Sequence, residues 1–168
     1  RVVEMVRGGT LGRIKEVHCW VDSKYETKDR PAGEPVPRHI DYEQWLGPIS
    51  PVPYSREYVP FKWRGFWDYG TGAIGDMGIH NLDTAYWGLE LGLPTSVRVL
   101  SSSGKTGDPE MRDSAPLWSI SELLFPARGR HPAVRMIWYD GGKLPPKELF
   151  KGQPLLSKDG GSLIIGSK

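Results

Sequence analysis

Apolar and polar residues change their period along this chain, and the changes mark out its elements. Residues 2–7 read as the end of a helix stopped by Gly8-Gly9, and Leu11-Gly12 turns the chain into the next element. From 14 to 21, apolar Val17, Cys19 and Val21 alternate with polar Glu16 and His18, broken only by Trp20, which predicts a strand with at least one exposed face. Residues 24–40 hold three prolines and no period, the mark of a long loop. Residues 41–46 form a short helix capped by Asp41 and ended by Gly47-Pro48. The helical period holds at length once, over residues 74–91, where Ile79, Leu82, Tyr86 and Leu89 make an apolar stripe. Alternation then returns in 96–103, 118–125 and 134–139, separated by turn-rich segments at 104–109 and 126–132. The last two strands predict an antiparallel hairpin turning near Gly129, followed by a loop over 141–158 and a short strand at 162–165. The sum is an α+β domain, a mainly antiparallel open β-sheet packed against few helices.

Composition changes this picture little. A chain of 168 residues is one domain. Its 21 glycines and 15 prolines exceed the usual share of about 12% and agree with long loops. Seven tryptophans supply the bulk that a disordered chain lacks. With 22 basic against 20 acidic residues, interspersed, there is no basic face for nucleic acid. Apolar runs fall far short of the roughly 20 residues that a spanning helix needs, so no membrane partner is expected. One cysteine, Cys19, excludes an internal disulfide framework and a cysteine-rich zinc site.

The chemistry concentrates between Trp63 and Trp87. On a helix, Asp76, His80, Asp83 and Trp87 form a stripe beside the apolar one, with Asp76 and His80 one turn apart. A carboxylate beside an imidazole favours the imidazolium and fixes the ring's tautomer, which suits a histidine that takes and returns a proton near neutral pH. The same residues also fit plainer roles: Asp76 as a helix cap or dipole partner, His80 as a structural or solvated side chain, Asp83 as a partner of a nearby loop. A two-ligand metal reading lacks a third ligand. Gly70-Thr-Gly72-Ala-Ile-Gly75 matches the dinucleotide fingerprint G-x-G-x-x-G letter for letter, but that motif needs a buried parallel strand before it. Residues 60–68, with a proline, a glycine and three charges, are no such strand, so no cofactor-binding residue is assigned here.

At these residues the chain resembles the C-terminal domain of the Gfo/Idh/MocA oxidoreductases. The resemblance is carried by residues 8–17 (Gly-Gly-Thr-Leu-Gly-Arg-Ile-Lys-Glu-Val), by Trp45-Leu-Gly-Pro48, and above all by residues 72–83, with Asp76, His80 and Asp83 in the pattern G-x-x-x-D-x-x-x-H-x-x-D. It is strong from about 8 to 100 and weak after Gly104. It implies a two-domain enzyme in which a Rossmann domain binds NAD or NADP, while the domain seen here binds substrate and often forms the oligomer interface through its open sheet. Members oxidise or reduce a carbohydrate or polyol hydroxyl by hydride transfer. By position, His80 is then the general acid/base and Asp76 orients or tunes it, with Arg64, Tyr69, Asn81 and Asp83 as candidate substrate contacts. The family's Glu-Lys-Pro lysine belongs to the nucleotide domain and has no counterpart here. The expectation is therefore a single substrate domain, residues 1–168, separated from its own Rossmann domain and inactive alone. Two other readings stay open: an NAD-dependent glycoside hydrolase of the same fold, and a non-catalytic dimerisation or binding module.

Overall fold

Strand order places the core. In a computed structural model, which describes residues 1–25, 29–104, 113–155 and 157–168, five strands form one sheet: β1 (Glu16–Val21), β2 (Ser96–Ser102), β3 (Ser119–Phe125), β4 (Val134–Tyr139) and β5 (Gly160–Ile165). Their spatial order is β2-β3-β4-β1-β5. The pairs β2–β3, β3–β4 and β1–β5 are antiparallel and β1–β4 is parallel, so the sheet is mainly antiparallel, as the alternation predicts. The β3–β4 hairpin closes through the Arg128–His131 bridge around Gly129. The turn expected at 104–109 lies, apart from Gly104, outside the described residues.

The strand β1 departs from expectation, since both of its faces are buried. It is an interior strand of the sheet, between β4 and the edge strand β5, and a layer covers each side. On one side Val17, Cys19 and Val21 join Leu123, Met136 and Trp138 beneath the helices. On the other, Trp20, Ile137 and Tyr139 are covered by Phe150 and Leu155 from the segment after β4. Within that segment, expected to be all loop, Lys147–Phe150 makes a 3-10 turn whose Phe150 packs edge-on against Trp20.

His18 sits on this second face, buried between Tyr139 and the partly exposed Glu16. Its Nε2 lies 2.7 Å from a Glu16 carboxylate oxygen and its Nδ1 2.9 Å from the Tyr139 hydroxyl. A carboxylate only accepts, so in the neutral ring Nε2–H donates to Glu16 and Nδ1 accepts from Tyr139. Burial pushes the imidazole below its ordinary value of 6.5, against the pull of Glu16. Further along the same face, Glu122 accepts from Arg98 at 2.6 Å and Arg135 at 2.7 Å across three strands.

The helices are α1 (Val2–Arg7), α2 (Tyr42–Leu46), α3 (Gly72–Asn81) and α4 (Asp83–Leu89). Asp41 caps α2 by accepting from the Gln44 amide at 3.1 Å. The one helix expected over 74–91 is thus two, broken at Leu82, and the reason is local. The Asn81 carbonyl, which would accept from residue 85 in a continuous helix, accepts instead from the Ser162 hydroxyl on β5. The Ala85 amide turns to the Leu82 carbonyl at 3.0 Å. The apolar stripe shifts with it. Ile74, Met77, Leu82, Ala85, Tyr86 and Leu89 face the sheet, while Ile79, assigned to the stripe by spacing, is 74% exposed. Among the described residues no helix is long and apolar enough to cross a membrane.

Candidate functional site

The entrance of α3 is built by close packing. Gly72 begins the helix at φ +64°, and a Cβ there would stand 2.6 Å from the Ala115 side chain. Gly70 lies against the Arg64 backbone, which a Cβ would overlap. The preceding segment is the 3-10 turn Lys62–Gly65 followed by turns, not a strand. The glycines of Gly70-Thr-Gly72-Ala-Ile-Gly75 therefore accommodate the protein's own chain rather than an open cradle for a pyrophosphate. These residues do not fit a dinucleotide, and this chain by itself offers no nicotinamide site at that motif.

Asp76, one turn into α3, is partly buried and held from two sides. One carboxylate oxygen accepts from the Tyr25 hydroxyl and the other from Arg64 Nε at 3.1 Å. The Arg64 guanidinium is fixed in turn by the Phe61 carbonyl at 3.1 Å and lies over the rings of Phe61 and Trp63, 4.5 and 4.6 Å from their centroids. Spacing gave no sign of Tyr25, which stands 51 residues from Asp76 in the loop after β1. Only the packing of α3 beside β1 brings the two together. Burial, and then the Asp76 carboxylate, push its phenol up to about 12, so it stays a hydrogen-bond donor at neutral pH.

His80 lies one turn further on and is exposed. The Asp76 carboxylate is directed at Tyr25 and Arg64 rather than at this ring. His80 instead lines a cleft of about 480 Å³ with Thr84, Leu11 and the strand residues Gly160, Gly161 and Ser162. The two glycines make room for the protein's own packing beside the cleft, Gly160 against Asn81 and Gly161 against the Trp20 ring. Their contribution was invisible in the sequence, since they lie some 80 residues away on a strand whose neighbour is fixed only by sheet order.

The remaining candidates divide. Arg64 joins Asp76 directly. Asn81 donates its side-chain amide to the Trp20 carbonyl and accepts Ser162 on its own carbonyl, so both of its polar groups fasten α3 to β1 and β5. Tyr69 packs among aromatic rings, 5.0 Å from Trp45 and 5.2 Å from Tyr58, with its hydroxyl buried. Burial raises its phenol strongly. Asp83 is exposed in the first turn of α4, where a carboxylate meets the positive end of a helix. Cys19 is buried, donates to Ser162 Oγ at 3.4 Å and is pushed up to about 11 by burial, which leaves an inert thiol. Among the described residues no group of three or more His, Cys, Asp or Glu side chains could hold a metal ion.

Comparison with known proteins agrees with the mainly antiparallel sheet and its few helices. No curated protein matches the chain. The model of the oxidoreductase family C-terminal alpha/beta domain, the Gfo/Idh/MocA type, matches residues 13–106, more than half of the chain, a span that holds β1, α2, α3, α4 and β2. The chain belongs to this oxidoreductase family, as a C-terminal α/β domain.

Proposed function

We propose that this domain binds the substrate of an NAD- or NADP-dependent oxidoreductase that acts on a carbohydrate or polyol hydroxyl, with His80 exchanging the hydroxyl proton. The observation that carries the reading is the exposed His80 imidazole on its cleft, in a domain of an oxidoreductase family. Oxidising an alcohol requires removal of the hydroxyl proton, and an imidazole is a group suited to take it near neutral pH. The dinucleotide is held by a Rossmann domain, the partner that this family membership implies.

Asp76 acts on this chemistry from behind. Its charge is shared between Tyr25 and Arg64, so it fixes the helix turn that carries His80 rather than bonding to the ring. Arg64 and Asp83 are the candidate substrate contacts with hydrogen-bonding capacity at or near the surface. Asn81 and Tyr69 position the backbone and the aromatic loop. The edge strand β2, with exposed Val97, Val99 and Leu100, is the surface on which self-association through the open sheet would form.

The test uses the protein carrying this chain together with its dinucleotide domain. Nicotinamide absorbance is followed with a panel of sugars and polyols. His80→Ala abolishes turnover and leaves dinucleotide binding intact, and the isolated 168-residue chain is inactive. Normal turnover by His80→Ala would sink the assignment.

A further inference from the structure

A second cavity, of about 420 Å³, opens at the C-terminal end of α4 and shares no lining residue with the His80 cleft. Four arginines line it, Arg7, Arg13, Arg128 and Arg130, with His131 and one carboxylate, Glu90. They come from three separate places: the end of α1 and the turn after it, the end of α4, and the β3–β4 turn.

The state of these guanidiniums distinguishes the cavity from the charged ladder on the sheet. There, Arg98 and Arg135 share Glu122 and Arg135 also reaches Glu16, so two guanidiniums meet two carboxylates. Here the anchoring acceptors are mostly neutral carbonyls. Arg7 donates to the Trp87 carbonyl at 2.9 Å, and Arg128 to those of Leu89 at 3.1 Å and Pro126 at 2.9 Å. These bonds hold two guanidiniums in place without neutralising them. Among the described residues, the ion pair that these arginines make joins Arg7 to Glu90 at 3.4 Å. The positive charge therefore exceeds what the helix end and Glu90 consume, and it is concentrated around a concavity.

The walls suit a ligand as well as a charge. Val6, Ile14, Leu89 and Val134 are buried side chains that form an apolar floor. At the mouth, Gly9 leaves open space, since a Cβ there would meet nothing within 4 Å. A volume of this size lies in the range of small-molecule sites. Planar guanidiniums in several directions match a phosphoryl group, whose oxygens accept paired hydrogen bonds, better than a single carboxylate.

We propose that this cavity binds a small phosphorylated molecule, with Arg7 and Arg128 as fixed contacts and Arg13 and Arg130 closing on the phosphoryl oxygens. The site is independent of the oxidoreductase reading, since it uses none of the residues near His80.

The experiment is a titration of the 168-residue chain with inorganic pyrophosphate at low salt, read by amide chemical shifts and by calorimetry. Saturable binding with one site is expected, with shifts at Gly8, Gly9 and Gly12. Arg13 and Arg130 are exposed, so Arg13→Ala/Arg130→Ala folds normally and binds at least tenfold more weakly, the loss expected when charge-assisted hydrogen bonds are removed. Arg98→Ala, a surface arginine outside the cavity, leaves affinity unchanged. Shifts spread over the surface without saturation, or equal weakening by Arg98→Ala and the double variant, would overturn the proposal.

Discussion

Asn81 decides between two roles for a polar residue beside the candidate catalytic histidine. If it serves the fold, its removal lowers stability; if it serves substrate, the fold is indifferent. Its amide donates to the Trp20 carbonyl on the interior strand β1. Asn81→Ala removes that donor and leaves a partly buried carbonyl without it, at a cost of about 1.5–2 kcal/mol. For a domain of this size each kcal/mol moves Tm by about 2–4 °C, so Tm falls by about 3–8 °C. The Ser162 bond to the Asn81 backbone carbonyl survives and limits the damage. Asn81→Asp is the sharper variant. It keeps the shape but turns an acceptor toward an acceptor, so near pH 7 it is less stable than Asn81→Ala. A carboxyl group held beside a carbonyl is raised above its ordinary value, so it protonates early and then donates to Trp20. The Asn81→Asp variant therefore recovers stability, relative to wild type, as pH falls toward about 4. Thermal unfolding by circular dichroism at several pH values reads both effects. A Tm within 1 °C of wild type for Asn81→Ala, or a pH-independent deficit for Asn81→Asp, would refute the structural role.

Three further outcomes follow from the packing. Met136 is fully buried beneath the helices, and Met136→Ala costs about 3 kcal/mol, seen as a lower urea midpoint at unchanged slope. Gly72→Ala forces a side chain at positive φ against Ala115, with a loss of about 3 kcal/mol in the same assay, whereas an open dinucleotide loop would tolerate it far better. His18, facing Glu16, Tyr139 and Arg135, is held below 6.5 by burial, so the unfolded chain binds its proton more readily. Its contribution to stability is complete above pH 6.5 and is lost as pH falls toward the native value; an NMR titration of the ring at or above 6.5 would contradict this.

Fold class was legible because its signals are local. Alternation over a few residues marks β2, β3 and β4, the Asp41 cap and Gly47 mark α2, and Gly129 marks the hairpin. The same locality explains the failures. A periodic stretch from 74 to 91 cannot announce that Ser162 will capture the Asn81 carbonyl and divide it, because that hydroxyl belongs to a strand 81 residues away. Nor can alternation in β1 reveal a second covering layer supplied by Phe150 and Leu155.

By itself, then, the sequence determined an α+β sheet and a run of Asp76, His80 and Asp83 whose pattern points to an oxidoreductase family. Tertiary structure alone decided what these residues touch. It gave Asp76 to Tyr25 and Arg64, left His80 facing the glycines of β5, and turned Asn81 into a fastening between three elements. It also gathered arginines from two distant segments around one cavity. The physical reason is the same throughout: propensity and caps act over one helical turn, whereas hydrogen-bond partners are chosen by strand order, and strand order is settled by burial across the whole chain.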